Sequence, residues 1–346
     1  MNYWEVSLMD CQIKITDNKA VWKIQAALAL IFLLNPFLGV LSTLFFVFVS
    51  KEKSMAFYLV IILTLFMWCL QSTRSFHLGE PSDWAGNYYY NFHNAAITDT
   101  LTYLFFTTKE YAWQAFNLIG YYLFDGDFLS YANFIVALTY MFTFAAIYKF
   151  WNYIQADPRF LVASLCLFAF VTEVNGICNN LLRQQFAMSM MLYAIIERCT
   201  NGRILYPLLV ISFFTHTMTG FFIPFLFIRL GKKASFRFYI YIVLGFGLLY
   251  ILFTNLSIFS SSSFYAFQRL ATASNAYALK DIIQPSAVYP FLAVTVILYV
   301  KAFFFDSERR KCELYINNLF LILISMCLLM TSMPLTVSYT HLTLPT

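Results

Sequence analysis

The chain has 346 residues, 61% of them apolar and only 11% charged, against roughly 25% charged in an ordinary soluble domain. This balance excludes water as its main solvent, and a net charge of +5 with no basic stripe gives no footprint for nucleic acid. Seven scattered cysteines without a CxxC pair or a Cys/His cluster imply neither a disulfide framework nor a metal site.

Residues 1–20 are polar and of mixed charge, and the apolar run after them is too long for a signal-peptide core, so it is expected to stay as an anchor. The run 22–49 carries Asn35-Pro36 near its centre. That predicts either one long kinked crossing or two short helices meeting at the proline. A second, shorter crossing is predicted over 56–70.

From Gln71 to about Phe128, polar residues alternate with aromatics. Pieces such as 112–119 are apolar enough to lie in the interface and too short to span, so this stretch reads as a large loop with interfacial or re-entrant helices. Further crossings are predicted over 130–150, 160–174, 181–196, 238–256, 287–305 and 314–331, with Tyr- and Trp-rich ends suited to an aromatic belt. The fold class is therefore all-α, a polytopic transmembrane protein of about nine or ten membrane segments with a large outer loop.

The run 204–228 is long enough for one span but is broken by Thr215-His216-Thr217 and Pro224. With the N-terminus outside, and this run entering and returning as a hairpin, the inner segments hold 14 of the 22 basic residues against six acidic ones. The inner side then sums to +8 and the outer to −3, as the positive-inside rule requires. Irregular backbone at His216 needs protein or a watery cavity around it, since lipid cannot satisfy it.

The last ten residues, 337–346, resemble translated adapter sequence, so 1–336 is expected to form a single membrane domain whose terminal crossings are missing.

Several polar residues fall where they are costly. Arg183-Gln184-Gln185 follows Asn179-Asn180 at the start of an apolar helix, and a guanidinium offers the planar fork of donors that matches phosphate oxygens; the alternative is an arginine snorkelling to headgroups. His216 is the one histidine in a strongly apolar stretch, placed to take a proton from a hydroxyl or simply to hold structure. Asp83-Trp84 with Tyr88 combines a carboxylate with rings, either to grip a sugar or to anchor a loop at the interface. Glu110 and Glu173 are further carboxylates, as base, sugar ligand or ion-pair partner, and Arg269 is a second phosphate contact or a loop salt bridge. Asp125-Gly126-Asp127 imitates a metal-binding DxD signature but reads better as a turn.

In order and spacing these pieces resemble the EpsG family of Wzy-like polysaccharide polymerases: Asp83-Trp84 with Tyr88, then Glu110, then Asn180 with Arg183-Gln184, then His216, over roughly residues 20 to 330. The resemblance implies a glycosyltransferase of the bacterial cytoplasmic membrane that makes capsule, exopolysaccharide or O-antigen. It would transfer a polyprenyl-diphosphate-linked oligosaccharide donor onto a lipid-linked acceptor, with no cofactor and no metal. Arg183, His216 and Glu110 would be catalytic, and Asp83, Trp84, Tyr88, Asn180, Gln184 and Arg269 would bind substrate. Partners would be membrane lipids and the chain-length regulator and flippase of the same pathway. An O-antigen ligase-like transferase and a transporter are the rivals; paired broken helices in two related halves, the mark of the latter, are not seen in the sequence.

Overall fold

In the computed structural model, residues 18–50, 53–74, 84–105, 110–170 and 181–227 are described, and every regular element among them is helical. The chain divides into two compact units, Met1–Ile223 and Pro224–Thr346. The predicted crossings 238–256, 287–305 and 314–331 lie outside the described residues.

Helices α1 (Asn18–Leu34) and α2 (Pro36–Ser50) meet at Asn35. Proline at the first position of α2 has no N–H to leave unpaired, and the Asn35 Oδ1 accepts from the N–H groups of Phe37 and Leu38, each at 3.1 Å, which starts the second helix cleanly. Gly39 lets the pair close, because a Cβ there would stand 2.4 Å from the Phe32 Cα. The two helices thus form a hairpin, the second of the two arrangements the proline allows.

Helix α3 (Lys53–Ser72) runs beside α1, with Tyr58 Oη donating to the Gln25 carbonyl at 2.8 Å. The chain therefore enters and leaves the hairpin at one end, that of Ser50 and Lys53. This differs from the charge-based topology, in which an outer N-terminus and an inner Lys51 and Lys53 put the two ends of 22–49 on opposite sides. The charge rule is blind to the difference, since residues 1–50 carry three lysines and three carboxylates and weigh nothing on either side.

A π-helical turn, Trp84–Tyr88, leads into α4 (Tyr89–Ile97), α5 (Thr100–Phe105) and α6 (Tyr111–Leu123). These short helices occupy the stretch read as a loop. The Asp125-Gly126-Asp127 signature is a turn, with Asp125 and Gly126 at positive φ (56° and 77°). Asp127 then caps α7 (Phe128–Ile154): its Oδ1 accepts from the Leu129 N–H at 3.0 Å and its Oδ2 from the Ser130 hydroxyl at 2.5 Å. The Ser130 hydroxyl holds the Asp127 carboxyl below its ordinary pKa, and a negative cap suits the positive end of the helix.

At 27 residues, α7 is about 40 Å long and packs between α3 and α9 (Leu182–Asn201). Helices α8 (Pro158–Phe170) and α10 (Tyr206–Thr215) follow, and a short helix, Ile223–Phe227, is the last described element. Aromatic contacts Phe142–Phe186 and Phe142–Tyr193 lie along the α7–α9 seam, and the two helices run parallel. Basic residues Lys149, Arg159, Arg198 and Arg203 consequently gather at the end of the bundle that also holds Lys53.

Unlike in a water-soluble bundle, large apolar side chains cover the outside as well as the core. Leu33, Ile97 and Leu101 are 79%, 83% and 63% exposed, while Gln71, Gln114, Asn117 and Asn133 are buried. On α6 the inward face is Trp113, Gln114, Asn117 and Gly120, and Ile119, Tyr122 and Leu123 point out. Hydrocarbon surroundings account for this arrangement, because polar side chains then find partners only inside. Two described helices, Ser54–Ser72 and Phe128–Ile154, are long and apolar enough to cross a membrane.

Candidate functional site

Three sequence-distant residues converge where α6, α9 and α10 meet. Glu110 stands at the start of α6 and does not cap it with its side chain. Instead one carboxylate oxygen faces the His216 Nδ1 at 2.8 Å and the other pairs with the Arg183 guanidinium. All three side chains are largely buried, Arg183 least so.

Local structure explains why each residue is held. Helix α10 ends at Thr215, and His216 is extended (φ −153°, ψ 116°) before the 3-10 turn Thr217–Phe222. The His216 carbonyl, released from the helix, accepts from both the N–H and the hydroxyl of Thr219, at 3.0 and 2.9 Å. The break thus gives the His216 carbonyl two donors, while the imidazole faces Glu110. Arg183 lies in the first turn of α9. One turn on, the Ala187 carbonyl accepts from the Ser212 hydroxyl of α10 at 2.8 Å. Phe116 packs edge-on against Phe186, and the Tyr111 ring is tilted against Phe214, so each pair among the three helices is tied by its own contact.

The geometry sets the chemistry. A carboxylate only accepts, so its contact with Nδ1 makes that nitrogen the N–H and leaves the Nε2 lone pair of His216 free for a proton. On Arg183 the pairing with Glu110 is through one terminal nitrogen, and the buried Nε has no hydrogen-bond partner among the described residues. A buried, unpaired N–H costs energy unless a ligand or water satisfies it. An imidazole with an open Nε2 beside a guanidinium with donors to spare can remove a proton and hold an anion in one place.

Behind α6 stands a wall of aromatic and amide groups. Asn117 accepts from the Tyr131 hydroxyl at 2.8 Å, and the Tyr131 ring fills the space beside Gly120, where a Cβ would stand 2.3 Å from it. Tyr103 donates to the Asn91 carbonyl at 2.6 Å, and burial pushes its hydroxyl pKa up to about 12. Trp84 and Tyr88 belong to this wall. Trp84 is 1% exposed, with the Arg74 guanidinium 4.3 Å over its ring and Phe128 edge-on; Tyr88 is 5% exposed against Trp113. Neither ring offers an open face for a sugar. Gln184 is half-buried beside Arg183, and Asp83, Asn180, Glu173 and Arg269 lie outside the described residues.

A model described as the EpsG family matches residues 57–340. The chain belongs to the EpsG family. No curated protein and no solved structure matches it. Family membership and the outward-facing apolar surface agree that this EpsG-family chain is a membrane protein.

Two features of this cluster escape a reading of single residues. One is the buried polar line Gln114–Asn117 that continues from Glu110 along α6; its spacing of four and three residues is a helical face and was readable as such. The other is the bridging place of Glu110, which no local pattern encodes, because His216 is 106 positions away. Among the described residues no three His, Cys, Asp or Glu side chains are grouped to hold a metal.

Proposed function

We propose that this EpsG-family protein is a multi-pass membrane polymerase that moves a glycan from a polyprenyl diphosphate carrier onto the non-reducing end of a second lipid-linked repeat unit, in surface-polysaccharide synthesis at the outer face of the bacterial cytoplasmic membrane. The observation that carries this reading is Glu110 bridging Arg183 and His216. A proton acceptor and an anion binder side by side are what a sugar transfer with a diphosphate leaving group needs.

In this mechanism His216 Nε2 takes the proton of the acceptor hydroxyl as its oxygen bonds to the anomeric carbon of the donor. The bond from that carbon to the diphosphate oxygen breaks, and its electron pair leaves on the diphosphate. Arg183 stabilises the charge arriving there. Glu110 is a positioning residue in this reading: it fixes the imidazole tautomer, stabilises the imidazolium as it forms, and holds the guanidinium. Gln184, Asn180, Asp83 and Arg269 remain the candidates for gripping sugar and phosphate, while Trp84 and Tyr88 act from the wall. Lipid-linked donor and acceptor, a chain-length regulator and a flippase are the partners this chemistry calls for.

The test places a full-length form of the protein in membranes with a lipid-linked repeat unit and compares it with Arg183→Ala and Arg183→Lys. Glycan laddering that is lost in both variants, with the protein still inserted, supports the reading. Laddering that survives Arg183→Ala removes Arg183 from the site, and transfer only to a non-glycan lipid acceptor would favour a ligase.

A further inference from the structure

At the basic end of the bundle, a cavity of about 400 Å³ opens between α3, α7 and α9, lined by Phe57, Tyr148, Lys149, Asn152, Tyr193 and Asn201 among others. It belongs to no part of the transfer site, which is built on the first turn of α9 and the end of α10, and the inference does not depend on the polymerase reading.

The cavity's chemistry is that of an oxyanion site. Lys149 pairs with the buried Glu197 and lies 5.5 Å from the Tyr193 ring centre. Glu197 also accepts from the Asn201 amide at 2.7 Å, so the carboxylate is engaged from two sides and serves to fix the ammonium at the cavity wall. Lys149 itself is a quarter exposed, and an ammonium has three donors, of which the carboxylate cannot take all. The Tyr148 and Tyr193 hydroxyls and the Asn152 amide make no hydrogen bond with the described residues. Arg203 adds a second positive charge near Glu197. These are donors and cations aimed at a space large enough for a headgroup.

An apolar track runs out of the same cavity. Phe57, Ile61, Leu65 and Trp68 are 53%, 42%, 37% and 41% exposed, and their spacing of four, four and three residues puts them on one face of α3. A polar mouth with cationic character, continuous with a hydrocarbon-facing stripe, fits an amphiphile lying along the helix. We infer that this cavity binds the phosphate of an anionic membrane phospholipid, with the acyl chain along the Phe57–Trp68 face. Basic pockets between membrane helices take anionic headgroups in this way.

The same phosphate chemistry could come from free phosphate, so the experiment separates the two. Full-length protein, purified and stripped of lipid, is offered phosphatidylglycerol, phosphatidylcholine or inorganic phosphate, and retention is read by native mass spectrometry alongside the melting temperature. Phosphatidylglycerol should be retained about five-fold better than phosphatidylcholine, the effect of roughly one basic contact at a membrane surface. The preference should vanish in the Lys149→Gln/Glu197→Gln double variant, which removes the pair without stranding a charge, and weaken in Asn152→Leu, which leaves the pair intact. Equal retention of the two lipids, or a preference untouched by both variants, overturns the inference. A shift produced by inorganic phosphate alone, with no lipid preference, overturns its lipid part and assigns the cavity to the free ion.

Discussion

Glu110→Gln is the most informative single change, because it keeps the shape of the side chain and alters only what its oxygens can do. In the native site one oxygen meets the His216 Nδ1 at 2.8 Å and the other the Arg183 guanidinium. Glutamine retains one acceptor, enough for Arg183, and turns an NH₂ toward His216. The imidazole must then accept at Nδ1, which moves its proton to Nε2 and removes the base. Losing a positioned base costs about 10²- to 10⁴-fold in rate. The stability cost is smaller, about 1.5–3 kcal/mol for a hydrogen bond to a charged group, so the variant should still insert and fold. Chain lengthening is followed on gels with a lipid-linked repeat unit, and folding by the melting curve of the detergent-solubilised protein. Lengthening within about three-fold of wild type, with the protein intact, lies far outside the effect of a lost base and would refute the tautomer argument.

Arg183→Lys keeps the charge and loses the fork, and should slow transfer by about ten-fold or more, since a point charge cannot reproduce bidentate contacts; the same laddering assay reads it. Gly120→Ala drives a methyl into the Tyr131 ring, 2.3 Å from the new Cβ, and should lower stability by about 1–3 kcal/mol, visible as a reduced melting temperature. Asp127→Ala removes the cap of α7 and should cost about 1 kcal/mol. The folded Asp127 carboxyl is held below its ordinary pKa, so the cap stabilises fully above the ordinary carboxylate value of about 4. That contribution fades as pH falls through the lowered one. The melting difference between wild type and Asp127→Ala should therefore be constant near neutral pH and shrink in acid; a constant difference into strong acid would contradict the charged cap.

The sequence makes the helices plain and the arrangement of them less so. Lys53–Ser72 and Phe128–Ile154 are long apolar runs, and runs of that kind dictate their own structure in lipid. The N-terminal hairpin was readable only as one of two options, because Asn35-Pro36 allows a kink or a reversal and what decides is Gly39 meeting Phe32, a contact between helices. For the site, residue types pointed to Arg183 and His216, since a guanidinium and an imidazole in apolar surroundings are expensive. Their link through Glu110 depends on α6, α9 and α10 coming together and has no local signature. Trp84 and Tyr88 show the reverse case: aromatics beside a carboxylate suggested sugar platforms, and the fold uses both rings as packing behind α6.

In the proposed mechanism His216 acts as the base of a glycan transfer. That role is tested most directly by mixing labelled lipid-linked donor with unlabelled acceptor in vesicles holding either the full-length protein or its His216→Gln variant. Label should appear in lengthened glycan with release of the polyprenyl diphosphate carrier, and fall by about 100-fold or more in the variant. Equal transfer by both proteins, or no transfer from a donor and acceptor that a competent polymerase accepts, would contradict it.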